Sequence, residues 1–532
     1  MSDNTVLDIH WADHAASALL KRYGREHTYV CASGVSPSGR VHIGNFREVL
    51  TAALVVRALE ERGCNVLFFH FWDDYDALRK IPSHLPSHIS WESFLRMPLS
   101  RVPDPCGQCQ SYAEHFEKLF EKELDRVGIC PTFLYQAERY EKGDYNAAIG
   151  VALHAQDTIR EILNESRTTP LPLEWTCVTA YCRTCHKDEV TILREGEFLT
   201  LTCVLCQTTW SCSINDASGL KLLWRVDWPM RWAEMKVDFE PGGKDHSAQG
   251  GTFETGQKIV RAVWHRDPPA YVQYDFVLAK GIGTKLSSSK GELISLEQAL
   301  EVYEPDVLRW IFASRRPNMD FSIAFDLDVL KAYDDFDRCE RIAFESEEAD
   351  AKKVGYEKRI YELACVEKNA LERPRPWRAP FRHLCNILQI FEGDLSRTKS
   401  YFQSLQTMSD PEIEALAQRC QRAWKWITTY APQSFRFSLR PIHMRPTLSH
   451  PQLLAKEMEE LGKRKTPPSE KELETLYQML AHEFGVSPKV VFENNYAALI
   501  HQKHGPRLST FMLAIGLPRC IEHLKNALTY YQ

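Results

Sequence analysis

The sequence has no run of about eighteen apolar residues, and without one no helix can span a bilayer. Nor is a secretory leader expected at its start. MSDNTVLDIHWADHAA places acidic and polar residues where a signal peptide carries positive charge and then a hydrophobic stretch, so a cytoplasmic protein is expected. Internal repeats and long low-complexity tracts are missing as well, which excludes solenoid and linker-dominated architectures. There is no excess of positive charge. A formal net charge of −6 argues against indiscriminate polyanion binding, while a slight basic excess beyond residue 330 leaves room for a local face that docks one particular nucleic acid. Cysteine, in contrast, is plentiful. Sixteen cysteines, several of them in Cys-x-x-Cys pairs within a long chain of cytosolic character, suggest metal before disulfides.

With 532 residues, 44% hydrophobic and 26% charged, the chain should divide into roughly three or four domains of ordinary globular composition. TYVCASGV reads as a buried strand. It is followed by the turn SPSGRVHIGN, a helix FREVLTAALVVRAL and a second apolar run VLFFHFW, an order that makes a βαβ unit and hence a parallel, doubly wound sheet. Ligands bind such sheets at the carboxyl ends of the strands. The second strand runs into Trp72-Asp73-Asp74-Tyr75-Asp76, which brings carboxylates to that edge. From about Pro82 to Leu220 the pattern changes to prolines, cysteine pairs and the alternating hairpin-like run EVTILREGEFLTLTC, an insertion between two halves of the sheet. FETGQKIVRAVW and AYVQYDFVL then restore helix and strand, and AKGIGTKLSSSKG follows as a Gly, Ser and Lys loop. Beyond residue 330, segments such as DVLKAYDDFDRCERIAF, ELETLYQMLAHEF and CIEHLKNALTYY show helical spacing. The expected parts are residues 1–81 and 223–330 for the halves of the Rossmann-type sheet, 82–222 for the insertion and 331–532 for an all-α region.

A helix opening directly after a strand offers free N–H groups and a positive dipole end to an anion, commonly a phosphate. Pro37, Gly39, His42, Gly44 and Asn45 shape that turn. Far downstream, Lys285, Ser287, Ser288, Ser289 and Lys290 lie on a loop that could close over a triphosphate and neutralise charge on the departing pyrophosphate. Taken singly, His42 reads more readily as a structural histidine, and the loop as readily as a surface turn. Together, His42-Ile43-Gly44-Asn45 and Lys285-Leu286-Ser287-Ser288-Ser289 resemble the HIGH and KMSKS signatures of class I aminoacyl-tRNA synthetases. Asn45 replaces the second His and Ser288 the second Lys. SGVSPSGRVHIGNFREV, WDDYDALRK, WRVDWPMRW and GKDHSAQGGTFETG further resemble the class I lysyl-tRNA synthetases, and the likeness runs from HWADHAA to GPRLSTFMLAIG.

The resemblance implies formation of lysyl-adenylate from ATP and L-lysine, then transfer to the terminal ribose of tRNA(Lys). Mg²⁺ accompanies the ATP. It also implies that tRNA binds before lysine is activated. No protein nucleophile is needed, so His42, Asn45, Lys285 and Lys290 are the expected catalytic groups through alignment and charge stabilisation. A lysine pocket must pair an ammonium with carboxylate. Glu48 is the first choice, Asp74 the second and Asp73 lies alongside; ordinary salt bridges or helix caps are the alternative. Ser33 and Gly34 end the first strand, where hydroxyl and backbone could approach the α-amino and carboxylate groups. Trp228, Asp245 and His246 belong to the family phrases and should line the amino acid or adenosine site, whereas Trp224 and Trp232 read as core aromatics.

Cys182-x-x-Cys185 and Cys203-x-x-Cys206 bracket the hairpin. Two such knuckles converge four thiolates on a tetrahedral centre, so structural Zn²⁺ is expected there; Cys177 and Cys212 flank the set as alternatives for one ligand. Asp104, Cys106, Cys109 and His115 form a second group, with a second zinc and free thiols equally open. In the resemblance, the insertion grips the acceptor end and the helical part meets the anticodon. RPRPWRAPFR and SFRFSLRPIHMR supply the aromatic and arginine side chains that read single-stranded bases. A glutamyl-type synthetase and a non-catalytic tRNA-binding paralogue are the competing readings; oligomeric state is not legible, a monomer being one option.

Overall fold

The structure, a computed structural model, describes residues 9–82, 85–281, 294–464 and 466–531. It divides into two compact units. The first comprises described residues within 9–279, 294–323 and 339–373, and the second those within 280–281, 324–338 and 374–531.

The first unit begins with α1 (Trp11–Tyr23), β1 (Tyr29–Val35), α2 (Ile43–Glu60) and β2 (Val66–Trp72). These are followed by α3 (Tyr112–Arg126) and β3 (Thr132–Tyr135). Three helices come next: α4 (Gln136–Lys142), α5 (Asn146–His154) and α6 (Gln156–Asn164). Five short strands succeed them, β4 (Val178–Ala180), β5 (Val190–Glu195), β6 (Phe198–Cys203), β7 (Thr209–Ser213) and β8 (Leu220–Leu222). The chain then returns through α7 (Trp224–Glu234), β9 (Phe239–Gly243), α8 (Thr252–Trp264), β10 (Ala270–Tyr274) and β11 (Val277–Lys280).

Five strands form one parallel sheet in the order β10-β9-β1-β2-β3. The order reverses beside β1, which makes its carboxyl end the crevice of a doubly wound sheet. β3 comes from within the span assigned above to the insertion. Its four residues, TFLY, are too short to show a period, so only pairing with β2 reveals them as sheet. AYVQYDFVL likewise forms two strands, β10 and β11, separated at Asp275-Phe276. β5, β6 and β7 make an antiparallel ribbon, and β4 pairs with β8 at its root. Gly196 turns the β5–β6 hairpin at φ +62°, a conformation that other residues rarely adopt.

Buried arginines fasten this unit through backbone carbonyls. Arg309 donates to the carbonyl oxygens of Val127, Leu363 and Ala364 at 2.8–2.9 Å. Arg47, on α2 and 3% exposed, donates to those of Asp275, Phe276, Arg316, Pro317 and Met319. Burial pushes its guanidinium down to about 10, so it stays charged at neutral pH.

After β11 come α9 (Leu296–Val302), α10 (Pro305–Ala313), β12 (Phe321–Ala324), α11 (Asp328–Ala343) and α12 (Ala351–Ala364). The second unit continues with α13 (Phe381–Ile390), α14 (Leu395–Leu405), α15 (Asp410–Thr429) and α16 (Pro451–Gly462). It closes with α17 (Glu470–Glu483), α18 (Pro488–Ile500), α19 (Leu508–Ile515) and α20 (Leu517–Thr529). The helical spacing read beyond residue 330 corresponds to these helices. Their core holds Arg440, which reaches the carbonyl oxygens of Ala498 and His523 and the side chain of Asn526. Among the described residues no helix is long and apolar enough to cross a membrane.

Replacing Arg47 by Met removes the charged donor that gathers these five carbonyls, although those of Phe276, Arg316 and Pro317 each keep one backbone N–H. The expected loss is about 3 kcal/mol of unfolding free energy, read from denaturant titration of the full chain.

Candidate functional site

The turn after β1 ends in His42, the N-cap of α2. His42 Nδ1 accepts the Gly44 N–H at 3.0 Å, and burial lowers the imidazole pKa below its ordinary value. A Cβ at Gly44 would lie 2.8 Å from that ring, so glycine is what lets the imidazole fold over the helix start. Asn45 occupies the first turn, its N–H on the His42 carbonyl at 2.9 Å. Pro37 is buried, and the Tyr112 hydroxyl donates to the Ser38 carbonyl beside Gly39. The turn is thus held from behind, and at the helix start the Ile43 N–H meets the Ile294 carbonyl at 2.7 Å while the Gly44 N–H meets the His42 ring. Lys285, Ser287, Ser288, Ser289 and Lys290 lie outside the described residues.

Glu48 reaches from the second turn of α2 to the end of β1. Its carboxylate accepts the Gly34 N–H and the Tyr274 hydroxyl, each at 2.7 Å. Burial pushes its pKa to about 8, and the nearby carboxylates Glu240 and Asp73 add to the shift. Glu240, on β9, is a second carboxylate of this kind. It accepts the Trp232 indole N–H at 2.6 Å and a further bond from Trp228, and burial raises it to about 7. Trp228 stacks on Trp224 with ring centroids 5.4 Å apart and lies 5.6 Å from His246. His246 is 3.6 Å from Asp245, which stands exposed over Gly243.

Glu48, Gly34, Trp228, Asp245 and His246 therefore stand on elements that meet at the carboxyl edge of β1 and β9. Other expected residues have different partners. Ser33 is fully buried with its hydroxyl 2.8 Å from His70 Nδ1, because alternation along β1 turns it to the side opposite its neighbours. Asp74 is buried and accepts the Ala137 N–H at 2.8 Å, fastening the start of α4; burial pushes its carboxyl to about 7. Asp73 is 2.7 Å from Arg231, which also pairs with Asp227. Trp232 is a core residue, but Trp224 is 37% exposed because it opens α7 at the sheet edge. Tyr274 and Glu240 escaped notice in the sequence: Tyr274 sits in a run read only as strand and Glu240 in none of the phrases singled out, and their roles depend on pairing across strands.

The sulfurs of Cys182, Cys185, Cys203 and Cys206 lie within 4.8 Å of one another. Cys182 and Cys206 are 3.4 Å apart, Cys185 and Cys203 3.6 Å. Those spacings are too long for disulfides and near the edge of a tetrahedron with about 2.3 Å metal–sulfur bonds. The donor set fits Zn²⁺. Cys177 and Cys212 belong instead to the apolar core beneath the ribbon. Asp104, Cys106 and His115 also converge, with His115 Nδ1 3.0 Å from Asp104 and 3.4 Å from the Cys106 sulfur. Cys109 contributes its backbone N–H to Asp104, and its thiol is outside this group.

In the second unit a cavity of about 640 Å³ is lined by Arg382, His383, Phe435, Phe437, Gln502 and Arg507, among others. It joins residues from both of the aromatic and arginine-rich phrases.

A doubly wound parallel sheet that reverses beside a strand–turn–helix, with buried carboxylates at its carboxyl edge, places the chain among the Rossmann-type α/β proteins. Residues 9–367 match the family of class I (K) tRNA synthetases, and the chain belongs to that family. It is 41% identical to the lysine–tRNA ligase of Treponema pallidum (strain Nichols), over 96% of this chain and 97% of that protein. It is 38% identical to the lysine–tRNA ligase of Borrelia garinii subsp. bavariensis, over 96% and 98%. The Thermococcus kodakarensis lysine–tRNA ligase is also 38% identical, over 97% and 99%.

The thiol geometry yields a measurement on the protein as purified. Elemental analysis is expected to find zinc, and Cys203→Ser to lose the metal held by the ribbon and expose β5–β7 to proteolysis.

Proposed function

We propose that the chain is a lysine–tRNA ligase that forms lysyl-adenylate from ATP and L-lysine and passes lysine to the 3′ end of tRNA(Lys), in the cytoplasm. The observation that carries the choice of amino acid is Glu48: a carboxylate beside the anion-binding turn whose hydrogen-bond partners are the neutral Gly34 N–H and Tyr274 hydroxyl. A ligand ammonium completes it, whereas a glutamate side chain would be repelled. The nearly full-length likeness to lysine–tRNA ligases supports the same reading.

In this reading the start of α2, with His42 and Asn45, takes the phosphates of ATP, and Mg²⁺ accompanies them. Lys285 and Lys290 supply positive charge to the phosphates, and Ser287, Ser288 and Ser289 supply hydroxyl donors. Gly34 and Glu48 hold lysine so that its carboxylate faces the α-phosphorus, while Trp228 and His246 border it. The oxygen of that carboxylate displaces pyrophosphate, and the terminal ribose hydroxyl of tRNA then displaces AMP. Both steps depend on alignment and charge stabilisation. Zn²⁺ at the four cysteines stiffens the insertion, which we assign to the acceptor end; Asp104, Cys106 and His115 form a second candidate metal group. The cavity lined by Arg382, Phe435 and Phe437 suits unstacked anticodon bases, which are recognised by stacking and edge hydrogen bonds.

Lysine-dependent ATP–pyrophosphate exchange tests the proposal, run with and without tRNA(Lys) and with glutamate as control. Exchange with lysine alone among the two, and only when tRNA is present, is the expected result. Exchange with glutamate, or none in a folded protein that binds tRNA, would overturn it. The pH dependence carries a sign. In the empty site Glu48 keeps its proton up to about pH 8. Binding an ammonium needs the carboxylate ionised, so lysine binding releases a proton and its KM should fall as pH rises from about 6 to 8. Glu240, nearby and also raised, steepens the lower part; Glu48→Gln should flatten the upper part.

A further inference from the structure

We propose that Tyr112 is a positioning residue for the nucleotide step: it fixes the turn between β1 and α2, and through it that turn answers to the Asp104, Cys106 and His115 group at the start of α3. This rests on the reading of the α2 start as the phosphate site.

The turn has little else to hold it. Where β1 ends, the Asp73 N–H donates to the Val35 carbonyl at 3.0 Å, and where α2 opens, the Ile43 N–H donates to the Ile294 carbonyl at 2.7 Å. Among the described residues, one hydrogen bond reaches the backbone of residues 36–40 between these points, from the Tyr112 hydroxyl to the Ser38 carbonyl at 2.9 Å. Ser38 is the middle residue of that span. Arg40 adds an ion pair with Glu297, but both side chains are about half exposed and such pairs contribute little. Pro37 is buried and fixes its own φ, which leaves the rotation of the Ser38–Gly39 peptide to Tyr112. A trans peptide is planar, so drawing the Ser38 oxygen toward α3 points the Gly39 N–H the opposite way. One hydroxyl therefore sets the direction of a donor in the middle of the turn.

Tyr112 is itself firmly placed. It is fully buried, its ring packs on Phe116 and Trp91 with centroids 4.8 and 6.4 Å away, and its N–H donates to the Val102 carbonyl at 2.7 Å. One turn along α3, His115 Nδ1 lies 3.0 Å from Asp104. Asp104 also accepts the N–H groups of Cys106, Gln108 and Cys109 at 2.6–3.2 Å, so residues 104–109 and the first turn of α3 form one body. A disturbance of that body reaches the turn through the Tyr112 hydroxyl.

Pyrophosphate exchange by the full-length enzyme with tRNA(Lys) present gives the KM for ATP and for lysine separately. Tyr112→Phe removes the hydroxyl and keeps the ring. It is expected to raise the ATP KM by about threefold to tenfold, to leave the lysine KM within about twofold and to unfold at a temperature close to that of the parent. His115→Ala is expected to raise the ATP KM as well, but to add less than about twofold when Tyr112 is already Phe, because both changes act through one contact. Cys106→Ser takes its place where the alanine variant folds poorly. An unchanged ATP KM in Tyr112→Phe, or an equal rise for lysine, would overturn the proposal, and effects of Tyr112→Phe and His115→Ala that multiply would refute the link to the Asp104 group. His42→Ala separates this from the underlying reading. If it too leaves the ATP KM unchanged, the α2 start is not the phosphate site, whereas a rise there with none in Tyr112→Phe refutes the role of Tyr112 alone.

Discussion

A carboxylate beside a helix that attracts anions is the constraint around which the first unit is arranged. Glu48 is drawn to the end of β1 by the Gly34 N–H and fixed from β10 by Tyr274, so one side chain ties α2 to two strands of the sheet. Its neighbour Arg47 turns away and gathers five carbonyl oxygens behind the same edge. Two adjacent residues of opposite charge thus do opposite things. The cation is spent on backbone geometry and leaves the anion without a protein counter-charge. Without a counter-charge beside it, the carboxyl keeps its proton up to about pH 8 in the empty site.

The second tier of contacts makes the edge rigid. Arg231 neutralises Asp73 and Asp227, and Asp74 fastens the start of α4. Asp76 pairs with Lys221 at 2.6 Å, and the Tyr181 hydroxyl donates to the Tyr75 carbonyl. Through the last two, the root of the insertion grips the loop that leaves β2. The three aspartates of one short phrase thus have three separate structural partners, although in sequence they look like one acidic cluster.

Much of this was legible beforehand. The strand–turn–helix around His42 announces itself through an apolar run, small turn residues and a helical repeat, all of them local signals. The four knuckle cysteines are equally plain, since their spacing alone determines that they can converge. What escaped was set by pairing between distant segments. β3 is too short to carry a period, Tyr274 looks like any aromatic strand residue, and Glu240 acquires meaning only when register brings it level with Ala32. Ser33 illustrates the same limit: its identity suggested a ligand, but the alternation of the strand aims its hydroxyl at His70.

His42 already gives its ring nitrogen to the Gly44 N–H, so the start of α2 is not bare in the resting enzyme. A newcomer has to compete with an internal, neutral acceptor held at 3.0 Å. A weakly charged solute gains too little from the helix end to displace it, whereas a polyphosphate gains several charge-assisted contacts at once. The Gly44 N–H is therefore available to an anion only where what the newcomer offers exceeds the bond to the imidazole that it replaces.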